Sequence, residues 1–324
     1  MTTTTAPATI SPNPGQPGGS GQAGAAGAAR VARAVSLGRR SAAPSAVALV
    51  LGSCMSLQVG AALAMRLFPV TSAPGTTLLR VGLAAVVLLA LFRPRVRGWS
   101  PAQWRAVLLY GVSIAGTNGF FYAGLSRLPL GAAVTIQFLG PLTLSAALSR
   151  RARDAGWVLL AVLGVVTLGL TGSHDGGPGG AHGSLDLVGV AFILVSAAFW
   201  ALYIIAGSRA SKAVPGRGGL AVAMSAGALV LVPFGAHGAA QIAGRPHLIA
   251  LALAMAVLAS VVPYTLELAA MRRAPRRVFG ILLSLEPAVA TLAGWLLLGQ
   301  HTTPVALAAV VIVVGASLGS TLGA

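Results

Sequence analysis

From residue 45 to residue 321 the chain is a succession of apolar runs, at about 45–65, 74–92, 105–125, 130–148, 155–172, 186–207, 219–236, 248–270, 278–298 and 303–321. Roughly 17–25 apolar residues, at about 1.5 Å rise each, cross the hydrocarbon core of a bilayer. A segment surrounded by lipid must satisfy its own backbone hydrogen bonds, so it spans as a helix or as part of a closed barrel. Barrel strands alternate apolar and polar residues in short segments, and these runs do not. The expectation is an all-α membrane protein of ten transmembrane helices. Composition closes off the soluble alternative. Only 8 % of the 324 residues are charged, and the acids number five: Asp154, Asp175, Asp186, Glu267 and Glu286. A soluble fold of this size could not cover its surface with so few charges.

The basic residues set the orientation. With the N-terminus inside, eighteen of the 22 lysines and arginines fall on the inner side, in clusters at 30–40, 93–105, 150–153, 209–217 and 272–277. Arg66, Arg127 and Arg245 fall outside, and Arg80 lies within a span. Such a bias places a multi-pass protein in the cell (plasma or inner) membrane with both termini cytoplasmic. It also accounts for the net charge of +17 through anionic lipid, without nucleic acid. Residues 1–43, rich in Ala, Gly, Pro, Thr and Ser, read as a disordered cytoplasmic tail. Cys54 is the single cysteine, which excludes an internal disulfide framework.

The chain repeats itself at an offset of 146: Arg127 matches Arg273, Pro129 matches Pro275, Leu139 matches Leu285, and Pro141 matches Pro287. Two halves follow, at 44–172 and 186–321, each of five helices. Five is odd, so the second half enters from the opposite side. Inverted repeats of this kind build secondary transporters, with substrate held near the midplane between the halves.

These halves resemble the paired EamA domains of the drug/metabolite transporter superfamily. The strings Leu57–Ala64, Tyr110-Gly111-Val112-Ser113, Pro263-Tyr264-Thr265-Leu266-Glu267, Arg277-Val278-Phe279-Gly280 and Leu283-Ser284-Leu285-Glu286-Pro287-Ala288 narrow the likeness to its threonine/homoserine exporter (RhtA-like) branch. The resemblance covers about residues 45–321. It implies an inner-membrane exporter of small neutral amino acids driven by an ion gradient.

Charges inside a span are costly, so each is a functional candidate. Glu286 lies nine residues beyond Arg277, which is about 13 Å into the core. Pro287 follows it, removes a backbone donor and crowds the carbonyl of Leu283. Arg80 stays charged and must meet a substrate carboxylate, Glu286, carbonyls or water, unless it snorkels to the outer interface. Glu267 reads as one member of an interfacial ion pair with Arg272. Gln58, Asn118, Gln137 and Tyr264 are polar at depth, and would either line a cavity or link helices. Gln137 stands four residues before Pro141, on a kinked turn that mirrors Leu283. Gly315 and Gly319 form a GxxxG spacing that suits a homodimer face or close packing within one bundle.

The histidines have no metal spacing, and no cofactor is implied. There is no GxxxxGK[ST] loop, so a gradient rather than ATP must supply the energy. A membrane enzyme would gather a nucleophile and base, two acids or a metal cluster within a span, and no span does so. A channel would show rings of like charge or a filter sequence. The reading is therefore a secondary transporter exporting a small amino acid, of the threonine or homoserine kind, in exchange for protons. The alternatives are an exporter of another metabolite or drug, and a channel. Glu286 and Arg80 lead the site, with Gln137, Asn118, Tyr264 and Gln58 around them and Pro141 and Pro287 as helix kinks.

Overall fold

The structure, a computed structural model, describes residues 20–149, 152–171, 186–214, 216, 218–271 and 282–323. Residues 1–44 form one unit, with helical backbone from Ser20 on, and residues 45–324 form another. His174, His182, Pro275 and the arginines at 272–277 lie outside the described residues.

Every regular element among the described residues is helical. Within the second unit, α1 is Val47–Phe92, α2 Pro101–Leu125, α3 Leu130–Gln137, α4 Leu139–Ser149, α5 Ala152–Thr171 and α6 Leu187–Ala213. Then come α7 Gly218–Ala240, α8 Pro246–Ala256, a π turn at Val257–Val261, α9 Val262–Met271, α10 Glu286–Leu298 and α11 Pro304–Gly323. Among the described residues, seven helical stretches are long and apolar enough to cross a membrane. They are α1, α2, the α3–α4 stretch, α6, α7, the α8–α9 stretch and α11.

The difference from ten runs has local reasons. The runs 45–65 and 74–92 fall together in α1, whose 46 residues would reach about 69 Å if straight, roughly twice a bilayer core. It is not straight. Ser72 has φ 57° and ψ 169°, outside the helical region. Arg80 donates to the Ala259 carbonyl, and a Cβ on Gly60 would lie 2.6 Å from the Ala259 nitrogen. Residues 60 and 80 of a straight helix would be about 30 Å apart and could not both touch Ala259. The chain therefore doubles back at Ser72. Thr71 and Thr76 share a 2.6 Å hydrogen bond across that bend, and Gly75 and Gly238 let its backbone meet α7. The run 155–172 coincides with α5, and of the run 278–298 only residues from 282 on are described, 13 of them in α10.

Two further helices break. Phe138 separates α3 from α4, three residues before Pro141, and Ser284–Leu285 form a turn just before α10 and Pro287. Proline has no N–H for the carbonyl four residues back, which weakens the helix there.

The largest core cluster joins α1, α2, α3 and α10 around Leu67, Tyr122, Leu130, Ile136 and Ala290. Its outer faces are apolar: Leu229, Phe234, Leu159 and Val311 are among the exposed large side chains, as suits residues that meet lipid tails. Gly319 packs on the Trp157 ring of α5, so this half of the GxxxG pair serves contacts within the bundle, while Gly315 faces open space.

Candidate functional site

A cavity of about 680 Å³ opens between α1, α2, the α3–α4 break, α6, the α8–α9 stretch, α10 and α11. Gln58, Arg80, Asn118, Gln137, Tyr264 and Glu286 all line it, with Pro141. Pro287 is buried in the first turn of α10.

The geometry around Arg80 begins with the backbone of α8 and α9. In the π turn, the Val262 N–H donates to the Val257 carbonyl, one residue further back than in an α-helix. Pro263 has no N–H to offer the Ala259 carbonyl. Two carbonyls of this turn accept instead from side chains of α1: that of Leu258 from Ser56 Oγ at 2.7 Å, and that of Ala259 from Arg80 Nη2 at 2.8 Å. Gly60 permits this approach, since any side chain there would strike Ala259.

Arg80 also donates through Nε to Ser260 Oγ at 3.3 Å and through Nη1 to the Tyr122 hydroxyl at 3.3 Å. Its guanidinium carbon stands 5.4 Å from the Tyr122 ring centroid, within cation–π range. Arg80 is only 8 % exposed, so it is held in the bundle and not drawn out to the interface. Three of its five N–H groups meet neutral acceptors. Among the described residues no carboxylate lies within ion-pair distance of it; the ion pairs there are Arg127–Asp186 and Arg153–Asp154. The result is an oriented cation, held by neutral acceptors, with two N–H groups left over.

Glu286 is also 8 % exposed and opens the first turn of α10, where free backbone N–H groups favour negative charge. Gln137, just before the break between α3 and α4, donates through Nε2 to Ser196 Oγ at 2.8 Å, and Ser196 donates to the Thr117 carbonyl at 2.7 Å. Asn118 donates to the Ile114 carbonyl on its own helix.

Several wall residues escaped the sequence reading. Glu267 faces the cavity and its Oε1 accepts from Ser53 Oγ at 2.9 Å. Arg272, the partner expected for it, lies outside the described residues. Ala259, Pro263, Tyr264 and Glu267 recur at helical spacing on the cavity side. Tyr110, Tyr203 and Trp200 also line the wall, with the Tyr110 and Tyr203 ring centroids 5.1 Å apart. A signal was available: the chain has four tyrosines, of which three line the cavity and the fourth holds Arg80. Among the described residues no group of three His, Cys, Asp or Glu side chains is arranged to hold a metal.

Away from the cavity, Asp186 caps α6 by accepting from the Val188 and Gly189 N–H groups, and takes a 2.8 Å hydrogen bond from Arg127. That guanidinium, with the two backbone donors, holds its carboxyl below the usual range.

Comparison with known proteins places this architecture. Residues 187–322 match the EamA-like transporter family. The threonine/homoserine exporter RhtA of Escherichia coli (strain K12) is 40 % identical over 279 residues, covering 85 % of this chain and 91 % of that protein. The protein of the same name from Salmonella typhimurium (strain LT2) is 39 % identical over the same shares. A solved crystal structure superposes with a TM-score of 0.57 at 20 % identity, over 87 % of this chain and 98 % of that one, which is a likeness of fold. A multi-pass helical bundle, this cavity and these relatives belong together: the chain is a member of the EamA-like transporter family, among the relatives of the RhtA exporters.

Proposed function

We propose that this protein exports small neutral amino acids of the threonine and homoserine kind by secondary antiport against protons. The family and the named relatives support export of this class. The observation that carries the site is the pairing of Arg80 and Glu286, opposite charges about nine-tenths buried on the wall of one cavity. A zwitterion brings one group of each sign, which offsets the cost of burying both. The substrate carboxylate takes the two Arg80 N–H groups left over by Ala259, Ser260 and Tyr122. The ammonium takes Glu286, and a proton competes with it for that carboxylate. Occupancy of one acid by either a proton or an ammonium, but not both, is the simplest form of coupling.

Around this pair the fold reads as two inverted five-helix repeats, 44–172 and 186–321. The doubling back of α1 at Ser72 supports that reading. So do the helix breaks at Phe138 and Ser284, which share the 146-residue offset of the sequence repeat. Both termini are cytoplasmic, and deletion of residues 2–38, which keeps Arg39 and Arg40 as the inner flank, leaves transport nearly intact.

The test is exchange and pH-jump flux of threonine in proteoliposomes. Glu286→Gln keeps shape but cannot titrate, so pH-driven uphill flux is lost and exchange falls. Arg80→Lys also impairs exchange, because an ammonium lacks the planar fork that grips a carboxylate. Unchanged behaviour of Glu286→Gln in both assays leaves that residue a packing link and ends the proposal.

A further inference from the structure

Among the described residues, the cavity wall holds more negative charge than its proposed substrate can use. Among the described residues that line it, the charged side chains are Arg80, Glu267 and Glu286, one cation against two acids. A zwitterionic amino acid adds one charge of each sign and leaves that surplus in place. Uncompensated charge at membrane depth is expensive, so the surplus acid calls for a cation. The groups around Glu267 suit one. Among the described residues its donor is the neutral Ser53 hydroxyl, which orients the carboxylate without balancing its charge. The rings of Tyr110, Tyr203, Tyr264 and Trp200 share the cavity wall with it, and aromatic faces attract ammonium groups. Glu286, Tyr110, Tyr264 and Cys54 are within electrostatic reach of Glu267, and none of them is a cation.

We propose that the cavity also takes amino acids with a second ammonium on the side chain, diamino monocarboxylates of net charge +1, and that Glu267 binds that second ammonium. This rests on the reading that Arg80 and Glu286 hold the amino-acid head group. The three charges of the wall then meet three of opposite sign: carboxylate on Arg80, α-ammonium on Glu286, side-chain ammonium on Glu267. A hydroxyl substrate uses the same place less fully, donating its O–H to Glu267, since hydrogen bonds to charged groups strengthen when both partners are charged. The volume of about 680 Å³ has room for a longer side chain than that of threonine.

The experiment is counterflow of labelled homoserine in proteoliposomes, competed by 2-aminobutyrate, homoserine, 2,4-diaminobutyrate, ornithine and lysine. The ladder of diamino acids locates the separation of the two acids. In the wild-type protein at least one diamino acid competes about tenfold or more better than 2-aminobutyrate, which lacks any side-chain donor. Glu267→Gln costs that diamino acid at least about ten times more than it costs 2-aminobutyrate. If no diamino acid outcompetes 2-aminobutyrate, the inference is overturned by the wild-type protein alone, whatever the folding of the variant. Equal loss for all five competitors in Glu267→Gln also overturns it. The head-group reading fails separately, if Glu286→Gln leaves 2-aminobutyrate competition unchanged.

Discussion

At Phe138, and again at Ser284–Leu285 on the far side of a 146-residue offset, a helix breaks just before a proline and opens onto the same cavity. The backbones do the same thing, but the chemistry beside them differs. In the first half the polar residue at the break is Gln137, a neutral amide tied to Ser196 and through it to the Thr117 carbonyl. In the second it is Glu286, an acid in the first turn of α10 that the described neighbours leave without an ion pair. A satisfied amide fixes two helices together. A carboxyl held at a similar depth without a cation is stable only with a proton or a ligand cation. The two breaks thus share a backbone form, and the side chain beside each decides whether it ties helices together or, on the proposed reading, binds a ligand.

Five substitutions would break or sharpen that contrast. The largest effect is expected at Glu286. Glu286→Gln weakens substrate binding by about 1.5–3 kcal/mol, the scale of a hydrogen bond to a charged group, whereas Gln137→Leu leaves binding within about threefold. Equal losses at the two breaks would erase the distinction.

Gly60→Val comes next. Its side chain would collide with the Ala259 backbone, push the first limb of α1 from the π turn and cost about 1–3 kcal/mol of stability. A lowered melting temperature in detergent, with exchange reduced, is the expected outcome.

Pro263→Ala separates stability from function. It restores an N–H that competes with Arg80 for the Ala259 carbonyl, so the helix gains about 1 kcal/mol or less while Arg80 loses its 2.8 Å anchor. Melting temperature holds or rises, and exchange falls. A fall in both would mean that Pro263 matters for packing alone.

The smallest effect lies at the cap of α6. Asp186→Ala costs about 1 kcal/mol, most of it the lost helix cap, since the exposed pair with Arg127 contributes little. The carboxyl of Asp186 is held below its ordinary value in the folded protein. Its contribution is therefore complete above the unfolded-state value near pH 4 and is lost as pH falls through the folded-state value. Thermal melts from pH 7 to pH 3 should show the gap between wild type and Asp186→Ala closing only at the acid end.

Much of this was legible in the residues. Apolar run length gave the helices, and the proline offset pointed to both breaks. Cost of burial singled out Arg80 and Glu286, and the same reasoning gathered Gln58, Asn118, Gln137 and Tyr264, which the cavity brings together. The bend at Ser72 was announced as well, by Pro69 before it, Pro74-Gly75 after it and the gap between the first two apolar runs. What escaped depended on three-dimensional context. The π turn at 257–261 has no composition of its own, so the freeing of the Leu258 and Ala259 carbonyls is visible only where Ser56 and Arg80 reach them. The place of Glu267 on the cavity wall escaped for a simpler reason. A nearby arginine in sequence drew the reading to an interfacial ion pair, and the helical spacing from Pro263 and Tyr264 that puts the acid on the cavity side was not used.

The central claim, that Arg80 holds the substrate carboxylate and Glu286 its ammonium, has a direct test in a chemical double-mutant cycle. Binding of threonine, its methyl ester and its N-acetyl derivative is measured by calorimetry on purified wild type, Arg80→Lys and Glu286→Gln. Removing either partner of a contact should cost about as much as removing both, so the second loss adds little. The ester should bind Arg80→Lys and wild type alike, and the N-acetyl derivative should bind Glu286→Gln and wild type alike. Fully additive losses in both cycles would contradict the assignment and show that the head group of the substrate lies elsewhere.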